Sequence, residues 1–289
     1  MRIGVLSSEI KQRADTDGLF SAIAGYGFES VQLSFSSVPE ANFRGTGQFE
    51  FPEKTDDEVI SLIRDSSKRH SVDIIACSGT FNMAHPDMHV RKEGIKRFNG
   101  FAEMTHRLGV KFISLCAGTR RKESLWTYHT DNSTPEAWDD MIVTLKECVK
   151  IAERYDIVLA VETEAATVVD TPEKARRMMG EIGSENLKMI MDCANLFHAG
   201  EAKKENVKNI VAHAFGVFGG DVVMAHAKDI AQSDGIKFCP TGEGIIDYAQ
   251  FVELLNKHDY KGDTLLHGIY DEGKLKRGYE TVKNAIEKI

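Results

Sequence analysis

Features of secreted, membrane-spanning and thiolate-metal proteins are scarce in this sequence. It contains five cysteines among 289 residues, an odd and scattered set without a Cys-x-x-Cys pair. Such a set is typical of reduced thiols and argues against a disulfide framework or a cysteine zinc site. No apolar run approaches the length of a membrane-spanning helix. The N-terminal stretch "MRIGVLSSEI" enters a strand pattern without the apolar core of a signal peptide, so we expect a cytoplasmic protein without a membrane partner.

Acidic residues outnumber basic ones, 44 to 36, which bears on nucleic-acid binding. The formal net charge is -8 at pH 7, and a negative surface repels a phosphate backbone. The two basic segments, "TRRKE" and "GKLKRG", are too short to form a binding stripe. We therefore expect no nucleic-acid partner.

Linkers and the common nucleotide or hydrolase motifs are missing as well. No low-complexity run and no Pro/Gly/Ser-rich linker divides the chain, and a length of 289 residues suits a single α/β barrel. A doubly wound sheet normally carries a glycine-rich turn after its first strand, and "LSSEIKQRADTDG" has none. No G-x-S-x-G, Walker or H-E-x-x-H pattern occurs. We expect one domain spanning residues 1–289, with two small domains as the alternative.

What the sequence does contain is a regular alternation of short apolar runs and amphipathic helical stretches. The helical patterns include residues 56–70, 89–109, 135–156 and 248–259. Near-continuous apolar strands indicate a parallel sheet covered on both faces, so the alternation predicts an α/β fold, a single (β/α)8 TIM barrel. The eight predicted strands cover residues 2–7, 30–35, 72–78, 110–116, 157–163, 187–192, 222–227 and 263–269.

Polar side chains close three consecutive predicted strands, where a barrel carries its chemistry. Glu162 ends "LAVE", Asp192 ends "LKMIMD" and His226 lies near the end of "VVMAHA". Two carboxylates and an imidazole in one mouth are costly unless a cation neutralises them. The set predicts one divalent ion, Mn²⁺ in the first place, with Mg²⁺, Co²⁺ or Zn²⁺ as alternatives. Taken singly, Asp192 also suits a helix cap, and Glu162 an ion pair with Lys228.

These residues lie within segments that resemble a known family. "TFNMAHPD", "GVKFISLCAGTR", "LAVETE", "MDCANLFHAG", "VVMAHAKD" and "TGEGIIDYAQF" are similar to the sugar phosphate isomerase/epimerase group of the xylose isomerase-like TIM barrels, and the similarity spans nearly the whole chain. The resemblance implies that a Glu, an Asp, a His and a second Glu, one after each of strands five to eight, hold a metal. It maps the first three onto Glu162, Asp192 and His226.

The fourth position departs from the family pattern. Strand eight reads "DTLLHGI" and offers His267 in place of a glutamate. A neutral imidazole also binds divalent metals, so we expect His267 to be the fourth ligand, or to stand off the metal as a base. The alternative is that His267 faces the outer helices and that Asp271 or Glu272 completes the site.

Six further residues are candidates for substrate binding. Lys228 shares a strand face with His226 and presents a cation, although an ion pair with Glu164 or Asp229 would also explain it. Asn195 stands where the family commonly has a histidine. The loops after the third and fourth strands supply hydroxyl-binding, charged and ring-stacking groups. The full set is Lys228, Asn82, Arg120, Trp126, His129 and Asn195.

The resemblance and the predicted site together favour one function over three others. We expect an isomerase or epimerase that acts on a sugar or related polyhydroxy carbonyl compound through a metal-stabilised enediolate, with Glu162 and His267 as catalytic residues. A dehydratase or lyase acting on a keto-sugar or inosose is the first alternative, and a non-catalytic sugar-binding barrel is the second. An abasic-site endonuclease would need more histidines than the strand ends carry. A homo-oligomer stays possible.

Overall fold

The computed structural model describes residues 1–288 and contains a closed barrel of eight parallel strands. Each strand pairs with its neighbours in chain order, and the last pairs with the first. The predicted single (β/α)8 barrel is therefore confirmed. The strands are β1 Ile3–Leu6, β2 Ser30–Leu33, β3 Asp73–Ser78, β4 Phe112–Cys116, β5 Val158–Glu162, β6 Leu187–Asp192, β7 Val222–Ala227 and β8 Thr264–Leu266.

Eight α-helices follow the strands and cover the outside of the barrel in the described part of the chain. Several begin at a side chain that accepts a backbone N–H of the first turn, as Thr134 does from Ala137 and Asp247 does from Gln250. None of the helices within residues 1–288 is long and apolar enough to cross a membrane. The helices are α1 Thr16–Gly25, α2 Asp57–His70, α3 Met88–Arg107, α4 Pro135–Arg154, α5 Pro172–Ile182, α6 Lys204–Phe218, α7 Tyr248–Lys257 and α8 Leu275–Ile286.

Side chains that point into the barrel form a small apolar layer, separate from the larger core between strands and helices. The layer contains Ala160, Ile190, Met224 and Leu265, all buried. Because side chains two apart on a strand share a face, the next inward positions on these four strands point into the same mouth. Those positions are Glu162, Asp192, His226 and His267.

Candidate metal centre

The four inward side chains converge at the carboxyl ends of strands β5 to β8. His226 lies between the two carboxylates, with Nδ1 3.4 Å from Glu162 Oε1 and 3.7 Å from Asp192 Oδ2. The rings of His226 and His267 meet edge to face, with 5.2 Å between their centroids. Asp192, His226 and His267 each offer one ligand atom, and these atoms all lie within 4.8 Å of one another. The spacing is that of donors arranged around a single ion.

Two buried atoms test whether the site fits a cation. Asp192 Oδ2 and His226 Nδ1 are buried and have no hydrogen-bond partner among the described residues. The other polar atom of each side chain is held by the protein, since Asp192 Oδ1 accepts Ala194 N–H at 3.0 Å and His226 Nε2 pairs with Gln32 Oε1 at 3.0 Å. Buried polar atoms are rarely left unpaired. An oxygen and a nitrogen aimed into one mouth fit a divalent ion.

Gln32 orients His226 from the opposite side of the barrel. Its amide nitrogen donates to Ser78 Oγ at 3.0 Å and to Ser114 Oγ at 2.9 Å, so its oxygen faces the imidazole. An outer partner of this kind selects the tautomer that leaves Nδ1 free for a metal. Sequence reasoning missed Gln32, although a glutamine inside the apolar run "SVQLSF" was a usable signal.

Glu9 holds His267 in the same way. This buried carboxylate accepts from His267 Nδ1 at 3.2 Å and from the backbone N–H groups of Gly268, Ile269 and Tyr270 at 2.8 to 3.0 Å. Burial raises the pKa of Glu9, but the His267 imidazole and these N–H groups outweigh it and lower the pKa below its usual range. His267 Nε2 is thereby left for the mouth. Glu9 was also missed, although it closes "LSSE" directly after β1.

Comparison with known proteins decides the family. The model of the xylose isomerase-like TIM barrel matches residues 20–287. The chain belongs to this family.

Among the relatives of this family member is an inosose dehydratase of Glaesserella parasuis, 24% identical over 67% of this chain and 70% of that protein. An L-ribulose-5-phosphate 3-epimerase, UlaE, of Escherichia coli is 22% identical over 83% of this chain and 77% of that protein. The relatives' names agree with the prediction of an isomerase, an epimerase or, as the alternative, a dehydratase.

Two solved structures have the same fold. A D-tagatose 3-epimerase-like protein is 20% identical, has a TM-score of 0.75 and aligns over 100% of this chain and 98% of that one. The IOLI protein with a bound zinc atom is 17% identical, has a TM-score of 0.71 and aligns over 100% and 99%. At these identities the two structures show the shared fold.

The charges in the site of this family member are strongly coupled. Burial lowers the pKa of His226, but Glu162 and Asp192 outweigh it and raise the pKa to about 9. Burial raises the pKa of Glu162, and the neighbouring His226 outweighs that effect and lowers it. Burial raises the pKa of Asp192 above its usual range. The protonated imidazole therefore serves as the counter-charge of the carboxylates in the metal-free protein.

An ion bound at His226 would displace this proton, because Nδ1 cannot carry a proton and bind an ion at once. With a pKa of about 9, the imidazole is charged at neutral pH and stabilises the metal-free fold, a contribution lost as pH rises through about 9. We expect Mn²⁺ to release about one proton per ion at neutral pH, and its apparent affinity to rise roughly tenfold per pH unit up to that pKa. Calorimetry in buffers of different ionisation enthalpy counts the protons. Heats that do not depend on the buffer would contradict the expectation.

Lys228 is buried beside the site but turned away from it. Its Nζ donates to Asn195 Oδ1 at 2.8 Å and lies 3.7 Å from the centre of the Phe238 ring. Burial lowers the pKa of Lys228, but Asp192 and Glu162 outweigh it and raise the pKa, so the side chain stays charged. Asn195 in turn donates to Glu162 Oε1 at 2.7 Å. Lys228 therefore reaches the site through Asn195.

None of the three ion pairs considered for Lys228, with Glu162, Glu164 or Asp229, forms among the described residues, where its Nζ donates to Asn195. Asp229 instead accepts backbone N–H groups of Ile230, Gly242, Gly244 and Ile246. Burial raises the pKa of Glu164 to about 7, so this carboxyl is partly neutral near physiological pH.

Three predicted substrate ligands lie outside the mouth. Asn82 is buried and accepts Thr119 N–H at 2.9 Å, which ties the loops after β3 and β4 together. Arg120 pairs with Asp140 at 2.7 Å. His129 Nδ1 accepts Asp131 N–H at 3.2 Å. Arg120 and His129 line a separate cavity of about 270 Å³. The long loops fold on themselves, and this explains why their polar groups are occupied.

The alternative arrangement after strand β8, in which Asp271 or Glu272 completes the site, does not occur in the structure. Glu272 pairs with Arg13, and Asp271 accepts Gly273 N–H in a tight turn. His267 lines the mouth with Glu162 and His226. This cavity, which we call the polar cavity, has a volume of about 190 Å³. Its other walls carry the serine and threonine side chains Ser8, Ser34, Ser36, Ser78, Thr80 and Ser114.

Proposed function

We propose that the protein is a divalent-metal-dependent isomerase or epimerase of a sugar or related polyhydroxy carbonyl compound. The observation that carries the proposal is the pair of unpartnered buried atoms, Asp192 Oδ2 and His226 Nδ1, that face the same point as Glu162 and His267. We assign these four side chains as the metal ligands. Two imidazole nitrogens beside two carboxylates suit Mn²⁺, Co²⁺ or Zn²⁺ better than Mg²⁺, and we propose Mn²⁺.

The chain's own residues supply binding and proton transfer. A bound ion supplies Lewis acidity that stabilises negative charge developing on the substrate's oxygens. The hydroxyl-lined polar cavity binds the polyhydroxy part. Glu162 Oε1 is held by Asn195, whereas Oε2 has only the weak Cys116 thiol at 3.9 Å, so Oε2 is the atom we assign as base. His267 is held through Nδ1 by Glu9, which leaves Nε2 to bind the ion.

A dehydratase is the second candidate, and one feature favours it. The family pattern implies a second glutamate after β8, but this chain has His267 there. For this candidate His267 stands off the metal, where an imidazole is a better general acid near neutral pH than an ionised carboxylate and suits protonation of a departing hydroxyl. One of the relatives is named an inosose dehydratase.

Exchange of the carbon-bound proton next to the substrate's carbonyl tests the proposal. The Mn²⁺-loaded protein is incubated in D₂O with ketohexoses and inososes, and deuterium incorporation is followed by NMR. We expect exchange that a chelator abolishes, that added Mn²⁺ restores and that Glu162→Gln lowers by at least about a hundredfold, within the usual contribution of a general base. A deuterated epimer or isomer identifies the first function, and loss of water identifies the second. Sugar binding without any exchange would favour the non-catalytic barrel.

A further inference from the structure

A second cavity opens beside the metal centre, and its walls are mainly apolar. We call it the apolar cavity; its volume is about 580 Å³, against about 190 Å³ for the polar cavity. A volume of this size suits a drug-sized ligand. Its apolar walls are Trp126, Tyr128, Ala165, Ala166, Phe197, Ala199, Ile236 and Phe238.

Three of these walls are unusually exposed for their type. Trp126 is 44% exposed, Tyr128 54% and Ile236 41%, and they are three of the seven exposed large apolar side chains in residues 1–288. Isolated exposed apolar residues are common, but a group of them around one concave surface marks a binding site. The grouping indicates a ligand that is apolar where it meets this cavity.

The two cavities belong to one site. Trp126 lines both. Asn195 lines the apolar cavity and donates to Glu162 Oε1 at the metal centre. Phe238 lines the apolar cavity and covers the Lys228 ammonium. The two cavities therefore lie next to each other, with Trp126 as a shared wall.

Apart from the proposed metal centre, neither cavity offers an arginine or lysine partner from residues 1–288 for an anionic substituent. No arginine or lysine among the described residues lines either of them, whereas Glu50, Glu162 and Glu164 do. The nearby ammonium of Lys228 is only 5% exposed, under Phe238. Arg120, Arg121 and Lys122 line the third cavity, which shares no lining residue with these two. A phosphate group in the apolar cavity would meet Glu164 with no arginine or lysine of the described part of the chain to offset its charge, at a high cost.

We propose that the substrate is unphosphorylated and carries an apolar or aromatic group joined to its polyhydroxy part, as in an aryl glycoside, and that the apolar cavity binds this group. The inference rests on the proposed function for the placement of the polyhydroxy part in the polar cavity. It distinguishes this chain from the relative named for a ribulose 5-phosphate substrate.

Binding of two unreactive probes tests the inference. Methyl and phenyl β-D-glucopyranoside differ only in the group that would enter the apolar cavity. We expect the Mn²⁺-loaded protein to bind the phenyl glycoside at least about tenfold more tightly, the gain expected from burying one aromatic ring. Calorimetry gives both dissociation constants. Tryptophan fluorescence locates the event, because Trp126 is exposed whereas Trp138, the second of the two tryptophans, is 5% exposed.

A matched pair of variants locates the preference in the cavity. Ile236→Ser should reduce the phenyl-to-methyl ratio to about threefold or less, because it removes one apolar wall. Val143→Ser removes an apolar side chain of similar type that is 62% exposed on α4, away from the cavity, and should leave the ratio unchanged. Equal affinities for the two glycosides, including no measurable binding of the phenyl glycoside, overturn the inference. So does tighter binding of glucose 6-phosphate than of glucose.

The chelated protein separates this inference from the proposed function. The apolar cavity contains none of the proposed ligands, so the phenyl preference should persist without metal. A phenyl preference without metal-dependent proton exchange would leave the cavity assignment standing and overturn the proposed function. Metal-dependent proton exchange with equal affinities for the two glycosides would leave the proposed function standing and overturn the cavity assignment.

Discussion

Asp192→Asn is expected to abolish the stabilisation of the protein by Mn²⁺ while leaving the metal-free fold intact. The asparagine keeps the shape and can still accept Ala194 N–H, but the free position becomes an NH₂ donor that repels a cation. Loss of a ligand should lower Mn²⁺ affinity by more than the roughly 10-fold to 100-fold effect of losing an outer partner. Proton exchange should fall with it.

The metal-free variant should have a stability close to that of the wild type, because two effects oppose each other. Burial raises the pKa of Asp192, so the ionised carboxylate costs stability as pH rises above the ordinary carboxyl range, and asparagine removes that cost. Asparagine also removes one of the two carboxylates that offset the charge of His226. An aspartate needed only for folding would instead show a large loss of stability in the metal-free variant.

Thermal unfolding with and without Mn²⁺ measures both effects. An ion at a hundred times its dissociation constant stabilises the folded state by about 2.7 kcal/mol, which raises the Tm of a chain of this size by roughly 5 °C. The wild type should show this rise and Asp192→Asn should not. Glu164→Gln is the matched control, since Glu164 lies two residues from Glu162 but lines the apolar cavity. A Tm rise retained in Asp192→Asn would exclude Asp192 as a ligand.

Residues that act through their own strand could be predicted from the sequence. Most residues of the eight apolar runs are buried, so their limits were found to within about three residues. Side chains alternate between the two faces of a strand, and Glu162, Asp192 and His226 each stand two positions after an inward apolar residue. This alternation placed the three side chains in one mouth. His267 stands two positions after the inward Leu265, so the same alternation placed it in this mouth. Periodicity needs only local information, which the sequence contains.

Residues that act across the barrel could not be predicted in this way. Gln32 contacts His226 across 194 positions, and Glu9 contacts His267 across 258. No local pattern specifies such pairs. The loops were misleading for a related reason: Arg120 has the right chemistry for a substrate ligand, but Asp140 occupies it. A charged loop residue is available to a substrate only if the fold leaves it without a partner.

Glu9→Gln is expected to lower Mn²⁺ affinity by about 10-fold to 100-fold, the range for outer partners of metal-binding histidines. Glu9 Oε1 accepts a hydrogen bond from His267 Nδ1–H, and this tautomer leaves Nε2 unprotonated for the ion. A glutamine with its NH₂ at this position would donate to Nδ1 and favour the tautomer that carries its proton on Nε2. Because the NH₂ group also leaves the Gly268 N–H without an acceptor, unfolding should become easier by about 1 to 3 kcal/mol. Calorimetry is therefore performed well below the variant's Tm.

The contact between Glu9 and His267 also predicts the effect of placing the family's glutamate at position 267. His267→Glu alone places a second carboxylate where Nδ1 now lies 3.2 Å from buried Glu9, so like charges should destabilise the metal-free protein. Combined with Glu9→Gln, the new carboxylate gains an amide donor, and Mn²⁺ affinity should return to within about tenfold of the wild type. The double-mutant cycle in metal affinity then shows strong coupling, and the pH profile of proton exchange loses the contribution of an imidazole. Additive effects of the two substitutions would mean that Glu9 does not orient His267 toward the metal.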